Sequence, residues 1–215
     1  MIKTSRLQKL EKRSAHDLSI ISYPINGWIP LKFDEKGQRV LDVLLIGRGQ
    51  GGLAIAFQLV RERVQNIRVI DAAEPGQEGP WLKYARMKTL RSPKEVNGPD
   101  LNIPSLTFQA WYEAEFGTSL WKKLNKIPRE LWVSYLKWFR KVLSLPVQNR
   151  IRMIALEPSK GHIKVKLECF TTGLVKEEIT RKLVLATGIE TPRKWSMPPI
   201  SQRVRKTFGF IQVKR

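Results

Sequence analysis

Apolar residues fall in short blocks along this chain, separated by polar or breaker-rich stretches. Val40–Ile46 is a β-rich apolar run that ends at a glycine, Leu53–Arg63 reads as a helix, and Ile67–Ile70 is a second short apolar run. Strand, helix and strand in close succession predict a βαβ unit and therefore a parallel sheet. Residues 72–104 hold three glycines and five prolines and predict a long loop, of the kind that is usually functional. Ser105 is placed to cap a helix over Leu106–Phe116, with Gly117 just past its end. Pro128 suits the first turn of another helix running to Leu143, whose Leu131, Tyr135, Trp138, Phe139 and Val142 follow the helical period. Ile163, Val165, Leu167 and Cys169 alternate with polar residues, which predicts a half-buried strand, and Thr171-Thr172-Gly173 turns it toward a partner. Leu183–Ala186 reads as a fully apolar strand ending in Thr187-Gly188. The first 40 residues, broken by Pro24, Gly27, Pro30 and Gly37, read as an irregular segment packing on the core.

Composition narrows the class. In 215 residues, 42% are hydrophobic and Gly and Pro number 14 and 13, which excludes collagen-like and low-complexity chains. A single cysteine, Cys169, cannot form an intramolecular disulfide, and its place on the apolar strand face predicts a core thiol. His16, His162 and Cys169 show no zinc spacing, so no metal site is expected. The apolar runs have strand length, too short for a membrane helix or a signal-peptide core, so a cytoplasmic protein is expected.

Charge opens a competing reading. Thirty-nine Lys and Arg against 19 Asp and Glu give a net +20, and residues 191–215 carry seven basic side chains and no acid. Such a balance attracts nucleic acid or an anionic cofactor. No motif that reads DNA or RNA is visible, so no specific nucleic acid is expected and a basic nucleic-acid-binding protein remains an alternative only. Trp111, Trp132 and Trp138 sit in helical apolar patterns and are expected in the core rather than in a base-stacking surface.

The sharpest motif is Gly47-Arg48-Gly49-Gln50-Gly51-Gly52, which contains Gly-x-Gly-x-x-Gly between the first strand and the first helix. In a dinucleotide site Gly47 permits the tight turn, Gly49 leaves space for a pyrophosphate, and Gly52 lets the helix lie close to the sheet. The first-turn amides near Gln50 and Gly51 then face the phosphates. Asp71, ending the second strand 19 residues after Gly52, can accept the hydroxyls of an adenosine ribose. A carboxylate there disfavours a 2′-phosphate, which leaves NAD and FAD both open on physical grounds.

A family resemblance extends this reading. Ala186-Thr187-Gly188 looks like the second flavin motif of FAD-dependent oxidoreductases with two dinucleotide-binding domains. Gly79-Pro80-Trp81 resembles the Gly-x-Trp segment of the class B flavoprotein monooxygenases. The stretches Ala85–Lys94, Gly98–Tyr112 and Lys126–Arg129 resemble bacterial FAD/NAD(P)-binding oxidoreductases related to the lysine and ornithine N-hydroxylases and Baeyer–Villiger monooxygenases. The likeness covers roughly residues 15–200, including Tyr23-Pro24 and Leu41-Asp42. It implies an α/β Rossmann-like FAD-binding domain, with a parallel sheet and a small antiparallel β insertion. Its implied division is an N-terminal segment over 1–40, the FAD-binding domain over 41–190 and a basic tail over 191–215. The resemblance further implies that Gly47, Gly49 and Gly52 turn around the FAD phosphates and that Asp71 binds the ribose. Trp81, Arg86 and Met87 would line the flavin side, Met153 would meet the adenine through backbone groups, and Ala186, Thr187 and Gly188 would close over the cofactor. Arg48 departs from the usual small residue; its side chain either points outward or adds charge near the phosphates.

The implied activity is that of an FAD-dependent monooxygenase, which uses NADPH and oxygen to oxygenate a small molecule. No catalytic acid or base is assignable. A second glycine motif for NADPH is not visible, so a truncated chain lacking the NADPH domain is expected. A non-catalytic FAD-binding remnant, a partner subunit and a homo-oligomer stay open.

Overall fold

The computed structural model describes residues 5–21, 24–83, 85–96, 98–159 and 161–188. Helix α1 spans Arg6–Ile20, strand β1 Leu41–Ile46, helix α2 Gln50–Arg61 and strand β2 Ile67–Ile70. After the long loop come α3 over Phe108–Phe116, α4 over Thr118–Lys123 and α5 over Arg129–Val142. Strands β3 over Val147–Gln148, β4 over Ile151–Ser159, β5 over His162–Cys169 and β6 over Val175–Leu185 complete the described chain. The basic tail lies outside the described residues.

The six strands form one sheet in the order β3-β2-β1-β6-β5-β4, the expected α/β arrangement with an antiparallel insertion. β1 pairs in parallel with β2 and β6, and β2 with β3, while β4, β5 and β6 pair antiparallel. The apolar run at Leu183 is not a separate strand. It is the second half of β6, whose first half pairs with β5 and whose second half pairs with β1. Thr180, fully buried, serves both neighbours, opposite Ile163 on one side and Leu41 on the other. Its hydroxyl donates to the Lys182 carbonyl at 2.8 Å.

Alternation along β1 divides the core. Val43 and Leu45 pack with the helices, whereas Leu44 and Ile46 pack with Ile70, Val165 and Leu167 on the opposite face. The helical face is built around α5, whose Trp132, Tyr135, Leu136, Trp138 and Phe139 are buried; Tyr135, Trp138 and Phe139 follow the expected period, while Leu131 and Val142 are only partly buried. Trp111, Trp132 and Trp138 are all core residues.

Three expectations need correction. The first 40 residues are not irregular throughout, because Arg6–Ile20 is helical. The breakers all lie beyond this helix, and Ser5 and Gln8 close a capping box at its start, with Gln8 N–H donating to Ser5 Oγ at 3.1 Å. Leu7, Leu10 and Leu18 pack on the core, and the buried Ser14 hydroxyl reaches the Leu10 and Ser105 carbonyls. Helix α3 is capped by Thr107, which accepts from Ala110 N–H at 3.2 Å, because Pro104–Leu106 forms a short 3-10 turn that absorbs Ser105. Cys169 is only partly buried, since Val165 and Leu167 occupy the inward positions and Cys169 falls at the turn. Hydrogen bonding by Thr172 holds its thiol pKa below the ordinary value.

Candidate cofactor site

The parallel register sets the site. Ile46 lies opposite Ile70 on one side and Leu185 on the other, so Gly47, Asp71 and Ala186 leave the sheet at the same level. Ligands of open parallel sheets bind at this carboxyl edge. Gly47 continues the pairing by donating to the Ile70 carbonyl at 2.8 Å, and Ala186 donates to the Ile46 carbonyl at 2.8 Å.

The glycines divide into two kinds. Gly47 has φ +102°, and a Cβ on it would stand 2.4 Å from the Ala186 carbonyl oxygen. A Cβ on Gly52 would stand 2.0 Å from the Gly47 carbonyl oxygen and 3.6 Å from the Ala186 Cβ. These two glycines are required by protein packing, where β1, α2 and β6 touch. Gly49 and Gly51 instead face open space, with no atom within 4 Å of an added Cβ. Gly49 has an extended backbone and caps α2 without any side-chain hydrogen bond. The helix therefore presents its first-turn amides, beginning at Gln50 and Gly51, toward open space.

Asp71 is tied into this turn. Its Oδ2 accepts from Arg48 N–H at 2.7 Å and its Oδ1 accepts from Ala73 N–H at 2.7 Å. Each oxygen has a second lone pair for a ribose hydroxyl. On the other side of the turn, Gly79 bends with φ +71°, and an added Cβ would lie 3.6 Å from the Trp81 ring and 3.9 Å from Gly49 Cα. Trp81 stacks edge-on against Trp132, with ring centroids 6.5 Å apart, and its buried Nε1 has no hydrogen-bond partner. A buried donor left unpaired beside an open cradle suits a bound polar group. The open space at Gly49, the helix end without a side-chain cap and the Trp81 donor together fit a dinucleotide such as FAD.

The remaining sequence-derived candidates lie farther out. Arg86 is exposed and Met87 half-buried, on the segment that Arg129 anchors through the Ala85 carbonyl. Met153 of β4 pairs with Leu167 of β5 and packs against the Leu44, Ile46 and Ile70 cluster. The register shifts between Met153 and Ala155, a bulge that removes regular pairing beside Met153. Thr187 and Gly188 follow Ala186 at the sheet edge, Gly188 with φ +69°.

Arg48 does not point outward, for its side chain turns inward. It is 3% exposed and ion-paired with Glu78, whose Oε1 also accepts from Asn149. Burial, and then the neighbouring Arg140, lowers the Arg48 pKa to about 10. Sequence reading missed Glu78, Arg140 and Asn149, because only the close approach of the β2 loop to the end of α5 brings them to the glycine turn.

Comparison with known proteins gives the family. An FAD-NAD(P)-binding family model matches residues 44–190. This chain belongs to that family. It is 43% identical over 192 residues to an FAD-dependent urate hydroxylase from Xanthomonas campestris pv. campestris, covering 89% of this chain and 40% of the relative. The chain thus spans less than half of that protein's length. Among solved structures, a cadaverine monooxygenase from Erwinia amylovora bound to FAD superimposes with a TM-score of 0.57 at 19% identity, over 79% of this chain and 40% of its own. A bacillithiol disulfide reductase from Bacillus cereus reaches a TM-score of 0.57 at 20% identity, over 74% of this chain and 44% of its own. These two likenesses establish the fold alone, and they show it serving two different reactions. The FAD/NAD(P)-binding, Rossmann-like architecture expected from the motifs is the one observed. No helix among the described residues is long and apolar enough to cross a membrane.

Proposed function

We propose that this FAD-NAD(P)-binding chain is the FAD-holding part of a flavin-dependent hydroxylase that oxygenates a small molecule. The reading is supported above all by the 43% identity to an FAD-dependent urate hydroxylase, which extends over 89% of this chain. FAD, when bound, supplies the electron transfer and oxygen chemistry. The chain's own residues have simpler tasks. The α2 amides and the space at Gly49 receive the pyrophosphate, and Asp71 accepts the ribose hydroxyls while fixing the turn through Arg48 N–H. Trp81 Nε1 offers a buried donor on the flavin side, and Ala186, Thr187 and Gly188 bound the edge. Arg86, Met87 and Met153 are assigned to the rim of the same site. Urate, named in the relative, is the first substrate to try, with NADPH as reductant.

The test is a visible absorption spectrum of the purified chain before and after FAD is added and the excess removed. Retained flavin bands support the reading, and a folded protein that retains none overturns it. NADPH oxidation by the flavin-loaded chain should be very slow, because no second nucleotide turn is present in the sequence. A rapid rate would relocate the NADPH site to these 215 residues.

A further inference from the structure

Beside the glycine turn lies a second feature that the flavin reading does not use. Arg48, Pro75, Gly76, Lys137, Arg140 and Lys141 line most of a cleft of about 580 Å³ between the β2 loop and the end of α5. Four of these residues are cations. The carboxylates that face them are Glu78, paired with Arg48, and Asp71, bound to the Arg48 backbone. Glu74 is engaged with Arg150 instead, at 2.7 Å. The cluster therefore carries two more positive charges than negative ones.

The hydrogen bonding is incomplete in the same sense. Arg140 donates to neutral groups, the Val147 carbonyl at 2.9 Å and Asn149 Oδ1 at 3.4 Å, and so gains no counter-charge. Arg48 Nε is buried without a hydrogen-bond partner on a side chain that is only 3% exposed. Lys137 lies across Gly76, so closely that a Cβ there would stand 2.7 Å from its ammonium nitrogen. That arrangement holds one rim cation over the cleft. An unpaired buried guanidinium donor, a second guanidinium with neutral partners and two rim ammonium groups call for an anion of about two charges.

We propose that this cleft binds a phosphate dianion, either inorganic phosphate or a phosphate monoester carried on a nucleotide ribose. A monoester carries about −1.5 to −2 charges near neutral pH, which matches the excess. Its three acceptor oxygens suit the forked donors of Arg48 and Arg140. Binding does not require flavin, so it can be followed in protein with and without FAD.

The experiment is titration of the purified chain with inorganic phosphate, read by phosphorus NMR and calorimetry, beside the double variant Lys137→Gln/Lys141→Gln. Both lysines are exposed, so the variant should keep the wild-type melting temperature. Saturable binding that chloride does not displace, and that weakens roughly tenfold in the variant, is the expected result. NADP⁺ and NAD⁺ titrations separate the sources. NADP⁺ binding well above both NAD⁺ and inorganic phosphate identifies a nucleotide-borne phosphate, whereas inorganic phosphate matching NADP⁺ identifies a free anion site. Non-saturating binding, or affinity equal in wild type and variant, overturns the proposal. One-for-one displacement of phosphate by FAD also overturns it, by assigning the cleft to the flavin's own pyrophosphate.

Discussion

The two faces of the sheet are built very differently. Among the described residues the helical face buries 22 residues, nine of them aromatic, whereas the opposite face buries five and none is aromatic. On the helical side the Tyr135 ring lies 5.1 Å from Trp132 and 5.5 Å from Phe108, centroid to centroid, near the middle of a continuous aromatic cluster. Among the described residues, the other side gathers Val165 and Leu167 of β5 with Leu44, Ile46 and Ile70, flanked by Met153 of β4 and Leu183 of β6. Ile154 and Leu156 on β4, Phe170 and Leu174 in the turn after β5, and Leu185 at the end of β6 stay exposed. The helical face holds most of the buried apolar side chains, and the carboxyl edge that carries the site is set by the parallel register of β1 with β2 and β6. Large aromatic side chains explain this division, since each buries far more surface than Val or Leu.

Core truncations test the contrast directly. Phe139→Ala on the helical face should lower the unfolding free energy by about 4 kcal/mol, read by urea denaturation. Leu167→Ala on the opposite face should cost about 2 kcal/mol, the low end for such a deletion, because fewer neighbours surround it. Equal losses in the two variants would refute the division. At the carboxyl edge between the faces, Glu78→Gln leaves the Arg48 guanidinium buried without its counter-charge, and should destabilise by about 3 kcal/mol. A loss as small as that of a surface pair would mean that Arg48 is solvated.

Tyr135 sharpens the picture of the aromatic side. Burial, with Asp100 adding to it, raises its pKa well above the ordinary value of 10, while its hydroxyl donates to the Leu106 carbonyl at 2.8 Å. The raised pKa means that its contribution is intact below about pH 10 and is lost as pH climbs above that. Tyr135→Phe should therefore cost about 1 kcal/mol at pH 8 and show a shallower fall of stability between pH 10 and 11 than the wild type. Parallel pH curves would remove the buried phenol from the account.

The smallest stability effect belongs to the cofactor cradle. Gly49→Val adds a side chain to open space at an ordinary extended backbone, so unfolding should shift by less than about 1 kcal/mol. Flavin retention should nonetheless vanish, because that space is where the pyrophosphate must sit. Gly52→Val meets the Gly47 carbonyl at 2.0 Å and should fail to fold, which separates the packing glycines from the binding glycine. Flavin bound normally by Gly49→Val would end the phosphate-turn assignment.

Local pattern was enough for the βαβ unit, the glycine turn, α5, and β5 with the Thr171–Gly173 turn into β6, because period and breakers act over a few residues. Gly47 and Gly49 look alike in the sequence, and only the fold shows that Gly47 packs against Ala186 while Gly49 faces open space. Helix α1 was readable in principle from Ser5 and Gln8, but the breakers after residue 20 masked its signal. Arg48 was visible only as an anomaly. Its burial, its pairing with Glu78 and its place beside Arg140 and Lys137 depend on segments 30 to 90 residues apart meeting at one sheet edge. Backbone turns and strand periods are local, so the sequence by itself determined the dinucleotide-binding architecture. Charge compensation in a buried site depends on every group that packs around it, so tertiary structure alone decided where the unbalanced positive charge resides.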